Sequence, residues 1–296
     1  IYELLIKNKT MKTFNTILST LCLLAFQTVS AQVVNVQEAI KNAPKEVPDK
    51  VGFVKKENGK TISSKTITYS YDKEGRLTEI KSNTDDYTFK YSYATQEYVF
   101  GSNERVSSIT VIFKNNNYVK ADFTYNKLGE LSKIVRSGQE RDAFELYYDK
   151  GTYTWKDKKG RTNKLKVDGY KITEHLVGGD AFIFTYDKGK NGIENMLKPI
   201  TLTTYMAMEY YNTDFYSSGF LQCIMPQPLK SITDPRENGK IYTFSNTKGL
   251  YTYLKESSVK EGTYLNTWTF SYRKPKTEVK IDPKVLGNKK VDKIKK

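Results

Sequence analysis

Ten residues constrain this chain more than any other stretch: Tyr69-Ser70-Tyr71-Asp72-Lys73-Glu74-Gly75-Arg76-Leu77-Thr78. Aromatic residues at 69 and 71 with a serine between them continue a period of two that starts at Ile67, the mark of a strand with one buried face. Asp72 suits the first position of a tight turn, where its carboxylate accepts a backbone N–H. Gly75 suits the left-handed residue that closes a short hairpin loop. Arg76-Leu77-Thr78-Glu79-Ile80 then starts the returning strand.

Degenerate copies of this unit recur. Phe123-Thr124-Tyr125 leads into Asn126-Lys127-Leu128-Gly129, and Tyr153-Thr154-Trp155-Lys156 into Asp157-Lys158-Lys159-Gly160. Tyr242-Thr243-Phe244-Ser245 leads into Asn246-Thr247-Lys248-Gly249, and Phe184 to Gly189 is an altered copy. Asn58-Gly59, Asp168-Gly169, Gly178-Gly179 and Asn238-Gly239 supply further turns, and Trp268 to Tyr272 is a final strand without its turn. The copies are irregularly spaced, which argues against a solenoid and for a meander of hairpins. The 23 Tyr and 14 Phe become strand residues, because an aromatic ring covers a pleated face while a tyrosine hydroxyl stays wet. The expected fold is all-β: one domain over 51–273, an extended antiparallel meander of hairpins, curled or forming a half-barrel.

The flanks read differently. Residues 1–10 look like a spurious upstream extension. Residues 11–31 read as a signal peptide, with Lys12, an apolar run from Ile17 to Phe26 and a small-residue site that puts cleavage between Ala31 and Gln32. The expected location is therefore periplasmic or extracellular. Residues 32–50 form a lead-in with a weak helical pattern that ends at Pro44 and Pro48. Residues 274–296 are a basic tail expected to be disordered. Cys22 falls inside the signal, so Cys223 would be left without a disulfide partner and is most simply a buried hydrophobe.

The stretch 195–229 breaks the pattern. It holds Met196, Met206, Met208 and Met225 and several aromatics. A short helix is expected near 199–212, opened by Pro199. Tyr205, Met206, Met208, Tyr210, Tyr211, Phe215 and Tyr216 are the candidate ligand or partner surface, since function tends to sit where a local rule is broken. The alternative is a plug that fills one end of the curled sheet.

The net charge is +15, and arginine supplies only 7 of the 48 basic residues. Lysine is a hydrated point charge, whereas arginine makes bidentate phosphate and base contacts. The balance suits loose attraction to a glycan or other anionic envelope polymer, with no specific nucleic-acid readout. Strands this rich in lysine do not suit lipid, so no membrane span is expected. His175 stands alone and reads as a surface residue at a strand end. No catalytic set, metal site or cofactor motif is present. Two readings stand beside binding: a paired-carboxylate hydrolase of an envelope polymer, and a structural or assembly protein that uses 195–229 as its partner surface.

Tyr69 to Thr78 resembles the YD repeat of Rhs-type proteins, Tyr-x-Tyr-Asp-x-x-Gly-Arg-Leu-Thr. The copy at Phe123 has Asn126 for Asp and Glu130 for Arg, and the copy at Tyr153 keeps Asp157, Gly160 and Arg161. Copies are too few for an Rhs shell. In size and in its signal ending at Ser30-Ala31-Gln32, the chain looks like exported Bacteroidota proteins of unknown function with degenerate YD-like hairpins and a porin-like fold. That resemblance implies a fold and no particular activity.

Overall fold

The computed structural model describes residues 46–73, 75–84, 87–93, 105–139, 141–187, 194–208, 219–235, 240–246, 253–258 and 264–275. All of them fall in one compact unit, Pro44–Tyr98 with Asn103–Glu278. The expected signal at 11–31, most of the lead-in and the tail beyond Pro275 lie outside the described residues.

The fold is all-β, a meander of antiparallel strands with two short helices. The strands are β1 (Val47–Glu57), β2 (Lys60–Tyr71), β3 (Leu77–Ser82), β4 (Tyr87–Tyr93), β5 (Val106–Phe113), β6 (Tyr118–Tyr125), β7 (Leu131–Gly138), β8 (Asp142–Glu145) and β9 (Tyr147–Asp149). They continue with β10 (Thr152–Lys156), β11 (Thr162–Asp168), β12 (Lys171–Val177), β13 (Asp180–Tyr186), β14 (Leu229–Asp234), β15 (Lys240–Asn246), β16 (Tyr253–Ser258) and β17 (Tyr264–Arg273). Helix α1 (Glu194–Ala207) and the single-turn α2 (Phe220–Ile224) interrupt the meander between β13 and β14. The strand pattern begins at Val47, slightly earlier than the change of period marks.

Almost every strand pairs with its sequence neighbours, and β1 also pairs with β17. The run of ladders therefore starts at β9, passes through β17 and β1, and ends at β8. These two edges are separated in sequence only by Leu146, so the sheet must curl back on itself. Among the described residues no ladder joins β8 to β9, and the curl is not closed into a barrel.

Alternation decides which face is buried. On β2 the inward side chains are Ile67 and Tyr69, and on β4 Tyr87, Phe89 and Tyr91; they join one continuous apolar cluster with Phe220, Leu221 and Met206 from the helices. The outward face carries Lys81, Lys90, Lys164, Lys166 and Lys230. Pairs such as Lys166–Glu174, 2.8 Å apart, cross this face, where exposed ion pairs add little stability. A charged outer face is the reverse of a lipid-facing band. Among the described residues no helix is long and apolar enough to cross a membrane.

Candidate functional site

The Tyr69–Thr78 unit can now be read residue by residue. Asp72 closes the turn: its backbone N–H donates to Arg76 O at 3.0 Å, and Gly75 N–H donates back to Asp72 O at 3.0 Å. The Asp72 carboxylate accepts from the Arg76 backbone N–H at 2.8 Å and from Arg76 Nε at 2.7 Å. Gly75 sits at φ 82°, a left-handed conformation that suits glycine. On the return, Ser70 faces Glu79 while Tyr71 faces Leu77, so Thr78 has no opposite residue. This is a β-bulge, and a bulge re-aims the side chains beside it. The Thr78 hydroxyl donates to Ser70 O at 3.1 Å across the irregularity.

The bulge recurs wherever a strand running in the β2 direction ends on tyrosine. The register shifts at Ser92/Tyr93, Thr124/Tyr125 and Thr185/Tyr186 as it does at Ser70/Tyr71. The four tyrosines face Leu77, Val106, Leu131 and Leu229, all buried. Each tyrosine then donates its hydroxyl to the preceding strand: Tyr71 to Pro48 O at 2.7 Å, Tyr93 to Leu77 O at 2.8 Å, Tyr125 to Val106 O at 2.8 Å and Tyr186 to Ile172 O at 2.9 Å. Strand directions alternate, and the single residue between β8 and β9 cannot reverse the chain, so these tyrosines share one end of the sheet. They form its rim. Burial holds the hydroxyls of Tyr71, Tyr125 and Tyr186 well above the usual phenol range, and they stay donors.

Arginine lies on this rim. The Arg273 guanidinium carbon is 4.9 Å from the Tyr71 ring centroid, Arg76 is 5.0 Å from Tyr93 and Arg105 is 5.4 Å from Tyr125, all within cation–π range. Between Tyr71 and the end of β17 a cavity of about 310 Å³ is lined by Val47, Tyr71, Asp72, Lys73, Gly75, Arg273 and Pro275. Its size falls at the lower end of small-ligand pockets. Two cations, one aromatic face and a carboxylate engaged by Arg76 make it suited to an anionic group.

The described parts of the stretch 195–229, up to Met208 and from Gly219, lie against the inner face. Tyr205, Met206 and Met208 are 1 %, 0 % and 3 % exposed and belong to the core. Tyr210, Tyr211, Phe215 and Tyr216 lie outside the described residues. The sheet holds the segment through polar groups on its inward aromatics. Tyr69 donates to Cys223 O at 2.9 Å, Trp268 Nε1 donates to Gly219 O at 2.9 Å, and Tyr91 Oη is 3.1 Å from Thr204 Oγ1. Two threonines of α1 are satisfied by backbone carbonyls: Thr201 donates to Ile224 O and Thr203 to Ile200 O.

His175 departs from expectation. It is fully buried on β12 rather than at the surface. Val177 ends the strand and places His175 on the inward side, where it stacks on Trp155 at 5.8 Å and its Nδ1 lies 3.0 Å from Tyr205 Oη. Burial lowers its pKa to about 3. Cys223 is buried too, and burial pushes its thiol up to about 12. Among the described residues no three His, Cys, Asp or Glu side chains gather closely enough to hold a metal ion.

None of the bulges was visible in the sequence, including two outside the copies that end in Asp or Asn and Gly. Tyr91-Ser92-Tyr93 has the aromatic-serine-tyrosine pattern without a following Asp–Gly, and that pattern alone was the signal. The Asp168-Gly169 turn hides the other: Lys166 faces Glu174, Val167 faces Ile172, and the extra Thr173 donates to Lys166 O at 3.2 Å.

No family model and no curated protein matches the chain. Among solved structures, it is similar to a porin-like protein from Bacteroides uniformis, at 13 % identity and a TM-score of 0.41, covering 76 % of this chain and 98 % of that one. A likeness at that score says nothing of function.

Proposed function

We propose that the protein is an exported, non-catalytic β protein that binds an anionic polymer of the cell envelope, a glycan bearing acid groups. The observation that carries this reading is the rim cavity, which Lys73 and Arg273 line together with Tyr71. Cations on a pocket wall attract and orient an anion. The lysine-rich outer face adds long-range attraction.

The carboxylates support binding over hydrolysis. Asp72, Asp157, Asp142 and Glu145 each contact a basic side chain, on turns or at the sheet surface. A glycosidase needs two carboxyl groups facing one another across a cleft.

The test is a glycan array and a lipopolysaccharide pull-down at low salt, repeated with Lys73→Glu and Arg273→Glu. The expected result is binding to acidic glycans that weakens with salt and is lost in the double variant. An array with no acidic glycan bound, and no lipopolysaccharide retained, removes the proposal.

A further inference from the structure

We propose that Arg273, Arg76 and Arg105 form a row that reads the charge interval of an acidic polysaccharide, one in which every second sugar carries a carboxylate or sulfate; this rests on the binding role proposed above. The guanidiniums lie over Tyr71, Tyr93 and Tyr125. Those rings end β2, β4 and β6, which are alternate strands of one sheet. Tyr71 faces Leu77, Leu77 accepts the Tyr93 hydroxyl, Tyr93 faces Val106, and Val106 accepts the Tyr125 hydroxyl. This unbroken chain of contacts keeps the three rings at one height. Neighbouring strands lie about 5 Å apart, so the row repeats about every 10 Å. One pyranose advances an extended polysaccharide by about one strand spacing, so acid groups on alternate sugars recur at the interval of the row.

Each guanidinium is held in place. Asp72 takes Arg76 Nε, and Asp49 lies 3.4 Å from Arg273 Nε. Arg105 packs over the turn glycine, where a Cβ on Gly129 would come within 2.5 Å of its Nη2. A guanidinium carries five N–H donors in a fixed fork. The Arg76 and Arg273 side chains remain 21 % and 29 % exposed. The three arginines stand out in a chain whose basic residues are otherwise mostly lysine, and arginine is the side chain that makes planar, bidentate contact with a carboxylate or sulfate. The cavity lies at the Tyr71–Arg273 end of the row.

The test uses the whole protein and two oligosaccharides with three acid groups each, a pentasaccharide acidic on every second sugar and a heptasaccharide acidic on every third. Calorimetric titration of wild type should favour the alternating ligand. Arg105→Gln and Arg273→Gln should each bind it about tenfold more weakly and with a shallower salt dependence, while Arg105→Lys and Arg273→Lys lose part of that. Arg161→Gln, at the opposite end of the sheet, should bind like wild type. Thermal melting identifies any variant that fails to fold, and the lysine variants then carry the comparison. Equal affinity for the two ligands, or an unchanged affinity in both Arg105 and both Arg273 variants, overturns the row and leaves the binding role standing. If wild type binds no acidic glycan of any interval, both fall.

Discussion

Asn126 and Glu130 hold the same turn as Asp72 and Arg76 with donor and acceptor exchanged. Asn126 Oδ1 accepts the Glu130 backbone N–H at 3.0 Å, as Asp72 Oδ1 accepts that of Arg76. Asn126 Nδ2 then donates to Glu130 Oε2 at 2.7 Å, where Arg76 Nε donates to Asp72 Oδ2. What looks in sequence like decay of the repeat is a paired substitution.

The pair should therefore behave as a unit. Asn126→Asp alone sets two carboxylates against each other and is expected to cost about 1–2 kcal/mol, whereas Asn126→Asp with Glu130→Arg should recover most of it. Urea denaturation of the two single variants and the double gives the coupling. Additive losses would show the two residues to be independent.

The rim hydroxyls contribute separately. Tyr93→Phe and Tyr186→Phe each remove one donor to a backbone carbonyl and should cost about 1 kcal/mol apiece. The two sites share no partner, so the double variant should lose the sum, read from the shift in denaturation midpoint.

Much of this was legible in the turn residues. Asp72, Gly75, Asp157 and Gly160 do what their types require, because turn chemistry is local. The bulge was not legible: it depends on which residue of the returning strand lies opposite Tyr71, and Thr78 reads as an ordinary strand residue until the register is known. The same limit hid the orientation of the Tyr153 copy. Its Trp155 and Lys156 face Asn163 and Thr162 without a shift, because lysine stands where the rim copies have tyrosine, and its turn lies at the opposite end of the sheet. For His175, flanking glycines suggested the surface, but the inward side of β12 decided its burial. The inner packing of α1 and α2 rests on contacts with distant strands, such as Tyr69 with Cys223, which no local pattern records.

Burial of His175 should appear as acid sensitivity. Its native pKa, about 3, lies below the ordinary value of about 6.5 for an unfolded chain. The unfolded state therefore takes the proton first as pH falls. The resulting stability is complete above the unfolded value and is lost progressively down to the native one, at up to about 1.4 kcal/mol per pH unit. Between pH 6.5 and 5 most carboxylates remain ionised, and this is the only histidine in the chain. His175→Gln should flatten the stability profile in that window; an unchanged slope in urea melts would contradict the assignment.

Gly219, just before α2, has no room for a side chain. It sits at φ 84°, and a Cβ there would lie 2.8 Å from Phe53 and 2.9 Å from Trp268 Nε1. Gly219→Ala combines a left-handed alanine with overpacking and should cost about 2–4 kcal/mol. Loss of native tryptophan fluorescence at a lower urea concentration would report it.

The central claim is that the tyrosine rim, and not the lysine-covered outer face, is where an acidic glycan binds. Its most direct test is an Arg 15Nε NMR titration with an acidic pentasaccharide, since the chain has only 7 arginines. The account predicts saturating shifts at Arg273, Arg76 and Arg105 with Arg136 and Arg161 unmoved. Shifts at Arg136 or Arg161 with the three rim signals stationary would contradict it.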